Sequence, residues 1–175
     1  STAVGAISMI DSIVSLNNDA DTDVIIVISK PPAKEIEERV LNVLRKIEKP
    51  VVTLFLGSKP TQHEEGLYHA YTLEEAAQLG TKLMNNEDVV YSPAPAKEVT
   101  VSTSKGIKGY YSGGTLAYEA AFLLSDALGL SKENTPEGYT LKSDNHEVID
   151  LGDDMYTKGK PHPMIDPEIR IDKIK

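Results

Sequence analysis

A parallel three-layer α/β domain followed by a second, incomplete α/β unit is the fold class that the sequence predicts, on three observations. Two runs, Val24–Ile28 and Val51–Leu56, are short, uninterrupted and apolar, as in strands covered by helices on both faces. The segments around them carry apolar residues at three- and four-residue spacing, the period of amphipathic helices. Between residues 85 and 105 that periodicity vanishes into Asn, Ser, Lys and the run Pro93-Ala94-Pro95-Ala96. Such a composition marks a linker.

The elements follow in order. Val4, Ile7, Ile10, Ile13 and Val14 form one stripe of a first helix, which the polar run Leu16-Asn17-Asn18-Asp19-Ala20-Asp21 closes. The strand at 24–29 breaks at Ser29-Lys30-Pro31-Pro32, where proline suits a first helical turn and not a strand. Ile36, Val40, Leu44 and Ile47 define the next helix. Pro50 opens the second strand and Gly57 closes it, residues 58–66 form a loop, and Leu67–Tyr71 is a short strand candidate. Thr72-Leu73-Glu74-Glu75 is a capping box for a helix reaching about Met84. After the linker, Gly106–Tyr111 reads as a strand, Ser112-Gly113-Gly114-Thr115 as a turn into a helix to about Leu128, and Val148–Leu151 as a further strand. Residues 152–170 read as irregular, and the chain stops without a closing element, as expected of a piece of a longer protein. The predicted division is 1–85, a linker at 86–105, and 106–175.

Composition bounds the function. There is no cysteine, which excludes disulfides, thiolate metal sites and a cysteine nucleophile. No apolar run approaches the ~20 residues of a transmembrane helix. The expected class is therefore a cytoplasmic protein that does not enter membranes. The formal net charge of −9 argues against a nucleic-acid partner. It leaves small anionic substrates open, since local donors hold those.

Two strand-to-helix turns are candidate anion sites, because the unpaired N–H groups of a helix start and its dipole favour negative charge. Ser112, Gly113, Gly114 and Thr115 combine two hydroxyls with two glycines that let a ligand approach the backbone. The same turn also serves as a plain packing turn. Ser29 and Lys30 offer a hydroxyl and a cation, although Pro31 and Pro32 remove two N–H donors. A third candidate is the loop Asp150–Tyr156 with Pro161-His162-Pro163-Met164-Ile165-Asp166-Pro167, where acids, a histidine and Arg170 crowd a stretch without core periodicity. Asp153, Asp154, His162 and Asp166 match no metal-ligand spacing, and no metal is expected. His63, His69 and His146 read as surface histidines.

Val27-Ile28-Ser29-Lys30-Pro31-Pro32, Phe55-Leu56-Gly57, Tyr110-Tyr111-Ser112-Gly113-Gly114-Thr115-Leu116, Ile149–Asp154 and Pro161–Pro167 together resemble, in this order, FdrA proteins, relatives of the succinyl-CoA synthetase alpha chain. The resemblance implies a flavodoxin-like, CoA-ligase-type domain over residues 1–85 and the start of a second CoA-ligase-like domain at 106–175. It also implies a carbamoyltransferase component handling oxamate or oxalurate and phosphate in purine or allantoin catabolism. Under it His162, Asp153 and Lys30 are catalytic, and Ser29, Ser112, Gly113, Gly114, Thr115 and Arg170 bind the anion. The partners implied are other enzyme subunits, with self-association open. CoA or a nucleotide would enter only with domains outside these 175 residues. An acyl-CoA synthetase and a non-catalytic scaffold subunit are the alternatives. In the synthetases a phosphorylated histidine sits in a Gly-His-Ala-Gly loop, whereas the corresponding loop here, Lys59-Pro60-Thr61-Gln62-His63-Glu64-Glu65-Gly66, lacks that motif.

Overall fold

A computed structural model describes residues 6–93, 105–131, 133 and 135–175. The chain divides into two compact units, Ser1–Ala94 and Pro95–Lys175. Val4 of the expected first stripe and the Pro93–Ala96 run beyond Pro93 lie outside the described residues.

The first unit is a three-stranded parallel sheet with helices. Its elements are α1 (Ile7–Asn18), β1 (Ile25–Ser29), α2 (Lys34–Leu44), β2 (Val51–Phe55), β3 (Leu67–His69) and α3 (Leu73–Met84). The strand order is β1-β2-β3, with Ile25 opposite Val51 and Thr53 opposite His69. Strand β2 is central and every one of its residues is buried, so its unbroken apolar run is a direct consequence of position. Ile25, Val27, Val51, Phe55 and Leu67 share one face and pack with Ile13 of α1 and Val40 and Leu44 of α2, as the two-residue alternation of strands requires. Helix α3 contacts β1 and β2 and buries Ala76, Leu79 and Gly80.

Two expectations need correction here. Strand β1 is an edge strand, and Ile26 and Ile28 are each 44% exposed, so the run is not covered on both faces. Pro31 and Pro32 precede α2, which starts at Lys34 behind Ala33. They stiffen the approach to the helix instead of forming its first turn. The capping box at Thr72 does form: its Oγ accepts from Glu75 N–H at 3.0 Å, while the Glu75 carboxylate accepts from Tyr71 N–H at 2.6 Å. The segment after Met84 stays with the first unit as far as Tyr91, whose hydroxyl donates to the Pro60 carbonyl at 2.7 Å.

The second unit contains β4 (Lys108–Tyr111), α4 (Gly114–Leu128), β5 (Leu141–Ser143), β6 (His146–Asp150), α5 (Asp154–Thr157) and α6 (Glu168–Ile174). Strands β4 and β6 are parallel neighbours, with Tyr111 opposite Asp150, and β5 adds antiparallel to β6. Ala117 and Ala121 of α4 pack on Leu141 and Val148. Alanines bring this helix close to the sheet and leave a small core.

The unit is more regular than its sequence indicates. Helix α5 and the start of α6 lie in the stretch 152–170 read as irregular, and strand β5 in a stretch to which no element is assigned. Both helices are short. Asp153 caps α5 by accepting from Met155 N–H, and Asp166 accepts from Glu168 N–H at the start of α6.

Candidate functional site

The second unit places its two parallel strand ends side by side. Leu151 N–H donates to Tyr111 C=O at 2.7 Å, so the turn after β4 and the turn after β6 emerge at one edge. After Tyr111 the chain stays extended through Gly113 (φ −172°, ψ 138°), the N-cap of α4. The first N–H groups of this 15-residue helix have no partner within it. No acidic side chain occupies its first turn. Thr115 and Leu116 are exposed, so the positive end of the helix faces outward.

This helix start lines a cleft of about 550 Å³ together with Tyr111, Met164 and Arg170. Arg170 comes from α6, and its Nε is buried without a hydrogen-bond partner among the described residues. A guanidinium N–H hidden from water and left unbonded is costly. The acceptor it lacks is one that an anion in the cleft would supply. Ser112, Gly113, Gly114, Thr115 and Arg170 are thus brought together around one cavity.

His162 joins from the neighbouring loop. A Cβ placed on Gly152 would lie 2.9 Å from His162 Nε2, 3.0 Å from Ser112 O and 3.1 Å from Asp150 Oδ1, so three polar atoms converge on a spot that only glycine leaves free. His162 Nδ1 accepts from Met164 N–H at 3.2 Å, which in the neutral ring leaves the proton on Nε2. Asp150 Oδ1 is held by Gly152 N–H at 2.9 Å. Asp153 does not line the cleft and is engaged in capping α5. Asp150, Gly152 and Met164, which sequence reasoning includes in its candidate loop without singling them out, also take part. What brings Asp150 there is its register opposite Tyr111, which the local sequence does not show.

A test follows from that crowding. Gly152→Ala is expected to cost only about 1–2 kcal/mol, because its backbone needs no positive φ. It should nevertheless displace the His162 ring, read as a shift of its imidazole resonances in NMR. Unmoved resonances would remove His162 from the Ser112 turn.

Ser29 and Lys30 lie in the first unit, at the end of β1. Ser29 Oγ–H donates to the Lys30 carbonyl at 2.8 Å. Glu35 and Glu37 occupy the first turn of α2 and already complement its dipole. This turn is therefore a poorer anion seat than the one at Ser112.

The first-unit histidines are not free surface residues, contrary to expectation. His63 Nδ1 accepts from His69 N–H at 3.1 Å, and its ring meets Tyr68 and Tyr91 edge-on. Burial pushes its pKa down, with His69 adding to the effect. His146 Nδ1 accepts from Ile107 N–H at 3.2 Å.

Residues 110–175, the stretch that carries the cleft, match the family model of CoA-ligase. The chain is also 38% identical over 188 aligned residues to the uncharacterized protein YahF of Escherichia coli K12, covering 98% of this chain. It spans 36% of that relative's length. These two likenesses support a CoA-ligase-like family, and the mixed α/β architecture with its parallel sheet is that of the CoA-ligase, flavodoxin-like fold. No helix of the described residues is long and apolar enough to cross a membrane.

Proposed function

We propose that this chain is part of an FdrA-type homologue of acyl-CoA synthetases that works in the cytoplasm as a carbamoyltransferase component. It would handle small anions, oxamate or oxalurate and phosphate, within purine or allantoin catabolism. The observation that carries this reading is the cleft at the start of α4, lined both by the first residues of that helix and by Arg170, whose Nε is buried and unbonded among the described residues. Such a site stabilises planar or tetrahedral oxyanions through preorganised donors. A bidentate guanidinium adds geometric selection for carboxylate or phosphate. His162, whose ring comes close to the Ser112 turn beside Gly152, would donate from Nε2 to a leaving or developing oxyanion.

The CoA-ligase likeness of residues 110–175 favours one second reading, a CoA-dependent acyl-CoA synthetase. A ligand and turnover screen of the full-length protein separates the two. Carbamoyl transfer between oxamate and phosphate without CoA is the expected result. Acyl-CoA formation that needs CoA and nucleotide would establish the synthetase, and binding of neither set would leave a scaffold subunit. In the same protein Arg170→Ala should weaken phosphate and oxamate binding by tenfold or more, the equivalent of about 1.4 kcal/mol or more.

A further inference from the structure

A cavity of about 260 Å³ opens in the first unit beside the sheet, bounded by β2, β3, α2 and the loop after β2. Thr53, Lys59, Gln62, Glu64 and His69 are among its lining. Thr53 Oγ lies 2.7 Å from His69 Nδ1, and His69 Nε2 lies 3.3 Å from Glu64 Oε1. Arg45 in turn grips Glu64, Nε to Oε2 at 2.8 Å and a terminal N–H to Oε1 at 3.3 Å. The register of parallel strands β2 and β3, Thr53 opposite His69, sets the first link. The fold of the loop back onto β3 sets the second.

The direction of the proton chain follows from chemistry. Arg45 foremost, and His69 to a lesser degree, keep the Glu64 pKa below its ordinary value, so this carboxylate only accepts. His69 Nε2 must then be the donor. In the neutral ring Nδ1 is therefore an acceptor, and it takes the Thr53 hydroxyl proton. A hydroxyl bonded to an imidazole whose far nitrogen is oriented by a carboxylate is the arrangement that activates an oxygen nucleophile. A buried threonine needs only one acceptor to be satisfied, and a backbone carbonyl ordinarily serves. Here the acceptor is instead a ring held at both nitrogens and open to a cavity.

We propose that this cavity is an acyl-transfer site for small activated carboxylic esters, with Thr53 the nucleophile and His69 its general base. Thr53 Oγ attacks the ester carbonyl carbon while its proton passes to His69 Nδ1. The bond to the leaving oxygen then breaks, and the leaving group departs as the alcohol, taking the Nδ1 proton, or as a stable anion, the proton going to solvent. Water hydrolyses the acyl-threonine by the reverse assignment, giving up its proton to Nδ1 and restoring the Thr53 hydroxyl. Lys59 and Gln62 line the same cavity and carry side-chain donors for the carbonyl oxygen. Thr53 is only 2% exposed, so access is through the cavity and the acyl group must be small. Glu64 and Arg45 are positioning residues that act through His69.

The test uses the full chain and p-nitrophenyl acetate. Release of p-nitrophenolate should accompany an acetyl group on the peptide containing Thr53, identified by mass spectrometry. Thr53→Val and His69→Gln should each slow release by at least about 100-fold, and Thr53→Ser should retain it. Glu64→Gln should lower the maximal rate about tenfold while leaving half-saturation by the ester unchanged. Acetyl groups found on lysines alone would overturn the proposal. So would a folded Thr53→Val protein, judged by circular dichroism, that reacts at the parent rate.

Discussion

Gly106→Ala is expected to destabilise the second unit severely, by about 3 kcal/mol or more. A Cβ on Gly106 would overlap the backbone carbonyl of Asn145, in the turn joining β5 to β6. Backbone cannot rotate away as a side chain can. The chain entering β4 would have to lift off, and two bonds that start the sheet would go with it: Glu147 N–H to Ile107 C=O at 2.9 Å, and Ile107 N–H to His146 Nδ1 at 3.2 Å. Gly113→Ala is the matched control. Nothing lies within 4 Å of its built Cβ, and its φ of −172° is extended backbone that any residue adopts. It should cost less than about 1 kcal/mol. Thermal or urea denaturation of the two variants should rank them in this order, and equal stability would mean that Gly106 does not pack on the β5–β6 turn.

Glu147→Gln is expected to remove much of the second unit's acid sensitivity and to cost about 2–3 kcal/mol at neutral pH. The Glu147 carboxylate on β6 is bonded by Lys142 at 2.6 Å, by the Tyr110 hydroxyl at 2.8 Å, and paired with Lys108 at 3.1 Å. Its side chain is only 9% exposed. Lys142 foremost, with Tyr110 and Lys108, lowers its pKa from 4.5 to about 2, which corresponds to roughly 3 kcal/mol as an upper bound. The sign follows from a folded value below the unfolded one. This contribution is complete above pH 4.5, falls as pH drops through the interval, and is gone near pH 2. The parent should therefore lose stability between pH 4.5 and 2 more steeply than Glu147→Gln. Parallel acid-unfolding curves would contradict the ion network.

Strand β2 was legible because a central parallel strand covered on both faces calls for an unbroken apolar run such as Val51–Leu56, and helix α3 because Thr72 and Glu75 announce its start. Exposure of Ile26 and Ile28 was not legible. A strand's residue types say that it pairs, whereas coverage depends on which helices land on it. Strand β5 escaped because Leu141–Ser143 has only three residues, too few to show alternation, although Asp144-Asn145 behind it is hairpin-turn chemistry. Helices α5 and α6 escaped because a few residues among Pro, Gly and Asp carry no helical period.

The site divides in the same way. Glycines and hydroxyls at 112–115 point to a helix start with free donors, and that is where the cleft lies. The participation of Asp150 and Gly152 depends on strand register, and the Thr53–His69 link on residues 16 positions apart being set side by side by parallel pairing. Neither is a property of local sequence.

The account's central claim is that the start of α4 and Arg170 seat a small anion. Titrating the protein with phosphate and with oxamate, while following backbone amide resonances by NMR, tests it most directly. The account predicts saturable shifts centred on Gly114, Thr115 and Leu116, with the Arg170 Nε–H resonance moving at the same ligand concentration, and their loss in Arg170→Ala. Shifts spread evenly over exposed lysines, or unchanged shifts at Gly114 and Thr115 in Arg170→Ala, would contradict it.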